Sequence, residues 1–208
     1  MIRKLRPELG VKKMGHAGTL DPMASGLLIV LLGTACKQQD SFMELKKAYE
    51  AEVTLGATSD TDDGEGEIEA KGGGNGAVEA PSKVRVEEVL DNFIGEIEQI
   101  PPKHSAIKVD GRRAYARARG GEEVVLDSRP VTVQDIYDVG YDYPSLRFSC
   151  EVSKGTYIRS LARDIGENLG VGGYLSRLRR VSIGEFSVSD ACTPQDSAAK
   201  LEDNIRPL

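Results

Sequence analysis

The stretch Gly15-His16-Ala17-Gly18-Thr19-Leu20-Asp21-Pro22-Met23-Ala24-Ser25-Gly26 puts one carboxylate in a glycine-punctuated loop. Directly after it comes the apolar run Leu27-Leu28-Ile29-Val30-Leu31-Leu32, closed by Gly33. That run predicts a central strand buried on both faces. Gly15, Gly18 and Gly26 permit close backbone approaches that a side chain would forbid. Pro22 fixes its own φ and biases Asp21 toward an extended backbone. An acid held at the mouth of a buried strand suits a nucleophile or a base. The same spacing also fits an Asx-type turn that starts the strand.

Outward from this stretch, residues 1–14 are basic and read as the tail of a helix leading into the Gly15 loop. Ala48 to Gly56 alternates and predicts a strand. The acidic stretch Ser59-Asp60-Thr61-Asp62-Asp63-Gly64-Glu65-Gly66-Glu67 lacks the glutamate and flanking helices of a calcium loop, so a solvated turn is expected. Lys71-Gly72-Gly73-Gly74-Asn75-Gly76 reads as a surface loop. Ser82 can cap a helix from Lys83 to about Glu98, with Val86, Val89, Leu90, Phe93 and Ile97 on its apolar face. Pro101-Pro102 breaks the chain, Ser105 to Val109 predicts a short strand, and Asp110-Gly111 a turn. Arg113 to Arg119 reads as a short basic helix.

Strands are predicted at 123–126, 131–139 and 146–152. Thr156 can cap a helix bearing Ile158, Leu161, Ala162, Ile165 and Leu169, stopped by Gly170. Tyr174 to Val181 is too short to classify, Ser182 to Ser189 alternates like a strand, and Thr193-Pro194 opens a last helical segment. Strands and helices mix without a βαβ period. The expected class is α+β, with a mixed, mostly antiparallel central sheet and flanking helices.

The chain has 208 residues, 39% of them hydrophobic and 29% charged, enough for one large domain or one and a half small ones, with a sizeable core. No apolar run approaches a membrane span, and the start lacks a signal peptide's apolar stretch. Cys36, Cys150 and Cys192 form neither a disulfide framework nor a zinc pattern. With only His16 and His104 to add, no metal centre is expected. A reduced, cytoplasmic protein is the expectation.

The net charge of −6 conceals an uneven distribution. Bases cluster at Lys103, Lys108, Arg112, Arg113, Arg117 and Arg119, and again at Lys154, Arg159, Arg163, Arg177, Arg179 and Arg180. Local basic surface is what a phosphate backbone senses, so either cluster suits RNA. Each equally suits a solvated helix face.

Several segments, in one order, resemble the TruB family of RNA uridine isomerases. They are the Gly15–Leu28 stretch, Lys47-Ala48-Tyr49-Glu50-Ala51 with Gly56 and Ser59–Asp63, and Gln99-Ile100-Pro101-Pro102 with Ser105-Ala106-Ile107-Lys108. Gly111 with Ala114-Tyr115 and Ala118-Arg119 follows, then Arg129-Pro130-Val131. The last are Lys154-Gly155-Thr156-Tyr157-Ile158-Arg159-Ser160-Leu161-Ala162 and Leu175 with Leu178-Arg179-Arg180. The matches span about residues 11 to 190 and are most similar to the bacterial tRNA pseudouridine-55 synthases.

The resemblance implies the pseudouridine synthase fold and a cofactor-free reaction. A T-loop uridine of tRNA is isomerised to pseudouridine. The N1–C1′ bond must break, the uracil rotate while held, and C5 join C1′. Asp21 matches the family nucleophile, which attacks C1′ or C6 or assists loss of the base. Arg159 matches its arginine partner, a cation that favours the charged carboxylate. Tyr49 matches the tyrosine that stacks on the base and takes the C5 proton. Tyr157 and Leu178 match pocket-lining positions, and water exclusion by Leu178 would strengthen the Asp21–Arg159 interaction.

The target base must be flipped out of its loop, and His16 matches the histidine that fills the space left. Lys108, Arg112, Arg113 and Arg119 are the residues expected on phosphates, since RNA of this kind is read by shape and backbone. The protein is expected to act on the tRNA T-arm as a monomer.

The chain departs from the family in two places. Members commonly carry a Lys-Pro-x-Gly strand ahead of the point where this chain starts. His104 stands where an aromatic residue is usual, and its ring can still stack. The expected organisation is a catalytic domain over 1–191 lacking that strand, then a short tail over 192–208 without a full RNA-binding module. A catalytically inactive RNA-binding or RNA-folding protein is the alternative. A glycosidase-like hydrolase is disfavoured, because no second carboxylate is evident beside Asp21.

Overall fold

In a computed structural model of the chain, the described residues are 2–72, 78–105, 107–109, 111–114, 117, 120, 122, 125–196, 200–201 and 204–206. The first half contains α1 (Ile2–Leu9), β1 (Met14–His16), β2 (Ser25–Gly26), β3 (Val30–Leu32), α2 (Gln39–Glu44), β4 (Lys47–Leu55), β5 (Ala57–Ser59) and β6 (Ile68–Ala70). There follow α3 (Lys83–Asp91), β7 (Gly95–Gln99), β8 (Lys108–Val109), β9 (Arg112–Arg113), β10 (Arg129–Asp142) and β11 (Ser145–Val152). The last elements are α4 (Ile158–Asn168), β12 (Gly173–Ile183) and β13 (Phe186–Ser187).

The central sheet has seven strands in the order β13-β12-β4-β11-β10-β7, with the two-residue β2 joining β12. Every pairing along that path is antiparallel, and only β2–β12 is parallel. The α+β expectation with a mostly antiparallel sheet is what the chain forms. One face of the sheet is apolar by alternation: Val53 and Leu55 of β4, Leu146, Phe148 and Cys150 of β11, and Leu175 of β12 are buried there. The stripes Val86, Val89, Leu90 of α3 and Ile158, Leu161, Ala162, Ile165 of α4 complete this core. Gly166 lets α4 lie flat on the sheet, since a Cβ there would sit 2.2 Å from the backbone nitrogen of Gly173. Among the described residues, no helix is long and apolar enough to cross a membrane.

Several expectations are corrected. The run Leu27 to Leu32 is not a central strand: only Val30–Leu32 is extended, paired with β1 in a separate two-stranded ribbon. It is apolar because it lines a cleft with Leu5, Phe42 and Phe186, not because it lies between sheet layers. The α3 helix, capped by the Ser82 hydroxyl accepting the Arg85 N–H, stops at Asp91 instead of about Glu98. Gly95, at φ 111°, turns the chain into β7, so Ile97 faces Val131 across a strand pair. Its spacing from Phe93 fits a helix by coincidence.

Tyr174 to Val181 is the middle of β12, a strand at the heart of the sheet. Register shifts at Leu175/Arg177 and Arg180/Ser182 break its alternation, which hides it from a period-two reading. Thr156 does not cap α4, because its hydroxyl donates to the Ser153 carbonyl instead. Residues 125–126 are not a strand, and 123–124 lie outside the described residues. So do 73–77 of the glycine loop and most of the basic segment 113–119.

Candidate active site

The catalytic-type loop is fixed by backbone bonds on both sides. The Ala17 N–H donates to the Ile29 carbonyl at 3.0 Å, and the Leu27 N–H to the Arg180 carbonyl at 2.8 Å. Gly26, at φ 101°, passes so close to β12 that a Cβ would lie 2.2 Å from the Arg180 carbonyl oxygen. The glycine is therefore required by the approach itself. Within the loop, the Ala24 N–H donates to the Asp21 carbonyl at 2.9 Å, closing a turn with Pro22 at its second position.

Because a backbone carbonyl closes that turn, the Asp21 side chain is left for other work. Its Oδ2 accepts from Arg159 Nε and its Oδ1 from Arg159 Nη2, both at 3.1 Å. Arg159 comes from the first turn of α4 and its side chain is 5% exposed, against 31% for Asp21. The geometry is a two-bond fork with one open side on the carboxylate. The Asx-turn reading of Asp21 is thereby replaced.

The other Arg159 donors are also occupied. Nη1 donates to the Thr61 carbonyl at 3.1 Å and lies 3.4 Å from Asp63 Oδ2, and Nη2 reaches the His104 carbonyl at 3.2 Å. These contacts use all the directions a guanidinium offers. Asp63 is buried and is itself held by the Thr61 hydroxyl at 2.6 Å and the Glu65 N–H at 3.0 Å.

The acidic stretch is therefore not a solvated turn. Arg163, one helical turn beyond Arg159, pairs with Asp62 at 2.9 Å, so adjacent arginines of α4 grip adjacent aspartates. Arg163 also donates to the Ile100 carbonyl at 2.9 Å, which the Ser160 hydroxyl shares at 2.8 Å. Burial pushes the Asp62 carboxyl up to about 6, outweighing the downward pull of Arg163 and Arg159.

Gln99 performs the capping that Thr156 does not. Its amide oxygen accepts the Tyr157 N–H at 2.8 Å and its amide nitrogen donates to the Tyr157 carbonyl at 3.1 Å. The residue is 1% exposed. It fixes the start of α4, and with it the root of Arg159.

Tyr49 of β4 lies directly opposite Arg180 of β12. The Arg180 guanidinium is 2% exposed and donates to the Leu27 carbonyl at 2.8 Å and the Gly18 carbonyl at 3.1 Å. It thus ties both ends of the loop to the sheet beside Tyr49. Burial pushes the Tyr49 hydroxyl above its ordinary value, Arg180 pulls it down, and the Asp21 charge adds a further upward push. Tyr157 is likewise raised by burial, against Arg159 and Arg129 and with Asp21. The Asp21 charge thus reaches both rings.

Leu178 is buried in β12 and lines a cleft with Met23 and Ser25 of the loop. His16 ends β1, and its Nδ1 is buried without a hydrogen-bond partner among the described residues. Arg112 stands apart, exposed on the β8–β9 hairpin and bonded to Glu122 at 2.8 Å. The side chains of Lys108 and Arg113, and all of Arg119, lie outside the described residues.

The fold thus joins Asp21 to Arg159 and sets Tyr49 and Tyr157 within reach of the Asp21 charge, with His16 on the same loop, whereas the cleft that Leu178 lines contains none of Asp21, Arg159, Tyr49 and Tyr157. Sequence reading missed Asp63, Arg180 and Gln99. The four-residue spacing of Arg159 and Arg163 on one helix face, opposite an acid pair, was the available signal.

Two sequence models of known families match the chain. The TruB family pseudouridylate synthase N-terminal domain matches residues 6–158, and the tRNA pseudouridylate synthase B C-terminal domain matches 159–206. The chain belongs to the TruB family of pseudouridylate synthases.

It is 44% identical over 216 residues to the tRNA pseudouridine synthase B of Ruegeria sp. (strain TM1040), covering all of this chain and 69% of that protein. It is 46% identical over 191 residues to that of Clostridium kluyveri, covering 92% of this chain and 64% of the relative. Among solved structures it is similar to a chain of a Cbf5-Nop10-Gar1 complex, with TM-score 0.69 and 28% identity over 99% of this chain and 52% of that one. A chain of an H/ACA RNP bound to a substrate RNA containing 2'-deoxyuridine gives TM-score 0.67 and 27% identity, over 99% and 51%. The chain thus spans about two thirds of these curated relatives and half of the solved chains.

Proposed function

We propose that the protein isomerises a uridine in the T-loop of tRNA to pseudouridine, as a monomer and without a cofactor, through a catalytic unit formed by residues 1–191. The observation that carries this reading is the Asp21–Arg159 fork, one carboxylate face left open, with Tyr49 within reach of its charge.

In this reading the extruded uridine enters between the Gly15–Gly26 loop and β12. Asp21 attacks C1′ or C6, or assists departure of the base, and the N1–C1′ electron pair stays with the uracil. The base turns and C5 bonds to C1′, any bond to Asp21 breaking with its electron pair returned to the carboxylate, and the Tyr49 oxygen takes the C5 proton as its own hydroxyl proton passes by way of solvent to N1. Arg159 holds the carboxylate in one orientation, which spares reorganisation during attack. Tyr157 and Leu178 wall the pocket and keep water from the intermediate. His16 takes the space the flipped nucleotide vacates. Lys108, Arg112, Arg113 and Arg119 contact phosphates of the T-arm.

The test is incubation with a T-arm hairpin containing [5-³H]uridine. The proposal expects release of tritium to water and pseudouridine among the nucleosides. Tight binding of the hairpin without release would instead support the inactive RNA-binding alternative.

A further inference from the structure

Residues 3–13 carry Arg3, Lys4, Arg6, Lys12 and Lys13 against one acid, Glu8, in a chain whose net charge is −6. Leu5 is buried and Leu9 half-buried, which fixes α1 by its apolar side. All five bases are exposed. Among the described residues, none of the five has an ion pair or side-chain hydrogen bond.

This differs from most of the bases elsewhere on the surface, although Lys37, Lys71, Lys103, Arg129 and Arg147 are also exposed without a partner among the described residues. Lys46, Lys83, Lys154, Arg177 and Arg179 each meet a glutamate. Arg112 and Arg117 share Glu122. The two clusters that the sequence marks as basic are thus largely neutralised where they are described, and the α1–β1 face is not. Unpaired like charges on a rigid element repel one another unless an anion lies over them.

The patch is also tied to the site. Lys12 and Lys13 lead directly into β1, whose last residue is His16, and the Gly33 N–H pins the Lys13 carbonyl at 2.8 Å. Asp21 follows Lys13 by eight positions, so the two lie within about 28 Å.

We propose that the α1–β1 face, Arg3, Lys4, Arg6, Lys12 and Lys13, binds the phosphate backbone of the RNA substrate on the flank of the Asp21 pocket. This surface rests on the proposed function for its RNA partner. Its contacts carry charge and not sequence, so they set register and affinity and leave base choice to the pocket.

The experiment measures binding of a T-arm hairpin across a series of potassium chloride concentrations. The variants are Arg3→Ala/Arg6→Ala/Lys12→Ala/Lys13→Ala and the loop-only Lys12→Glu/Lys13→Glu. Each phosphate no longer neutralised lowers the slope of log affinity against log salt by about 0.7 to 0.9. The fourfold variant is expected to lose at least about tenfold in affinity, while turnover at saturating RNA stays within about twofold.

Unchanged slope and affinity in both variants, with unchanged thermal unfolding, would overturn the surface. If the parent binds with a slope that the variants flatten yet releases no tritium, the surface stands and the proposed reaction fails. Normal tritium release with an unaltered slope in the variants overturns the surface and leaves the proposed reaction standing. A parent that does not bind the hairpin overturns both.

Discussion

Asp21 gives one carboxylate oxygen to Nε of Arg159 and the other to Nη2, each at 3.1 Å, across 138 positions of sequence. Only a planar guanidinium makes both bonds at once, so the orientation of the acid depends on that side chain.

Arg159→Lys keeps the charge and loses the fork. Isomerisation is expected to fall about 10²- to 10³-fold, with RNA affinity changed only a few-fold. Steady-state and binding measurements on the folded variant check this. Full turnover by the lysine variant would mean that charge alone suffices.

Asp63 holds the opposite side of the same guanidinium from a buried position. Asp63→Asn leaves a hydrogen bond but removes the balancing charge. The expected result is a loss of about 1 to 3 kcal/mol in denaturant unfolding and a lower turnover at saturating RNA. Stability and turnover equal to the parent would show that Asp63 does not support Arg159.

Gly26→Ala puts a methyl group 2.2 Å from the Arg180 carbonyl oxygen, at a φ of 101°. The loop must move off β12. A destabilisation of about 2 kcal/mol or more is expected, with faster amide exchange over residues 17–27. Exchange identical to the parent would contradict the close approach.

Asp62 gives a pH signature. Its carboxyl titrates near 6 in the folded state against an ordinary 3.8. Between these values the folded protein holds a proton that the unfolded chain has lost, so the contribution to stability falls as pH rises. From pH 4 to pH 7 the stability of the parent relative to Asp62→Asn is expected to fall by about 2 to 3 kcal/mol. Denaturant unfolding of both proteins at several pH values reads this. A relative stability that rises over the same range would reverse the assignment.

The sequence carried the fold where period and burial agree. The alternation of β4 and the apolar stripes of α3 and α4 are visible because one face of each is buried. It failed where another constraint overrides the pattern. The bulges of β12 break its alternation, and the run Leu27 to Leu32 is apolar because it lines a cleft. Asp21, Arg159 and Tyr49 were legible through family resemblance, not through spacing. Arg180 hid among surface arginines because nothing local marks it as buried, and Gln99 acts only once β7 lies against the start of α4.

The central claim is that Asp21, held by Arg159, performs the chemistry. Its most direct test is tritium release from a [5-³H]uridine T-arm by Asp21→Asn, measured beside hairpin binding. No release above background is expected, with binding retained within a few-fold. Release by Asp21→Asn at a rate comparable to the parent would contradict it.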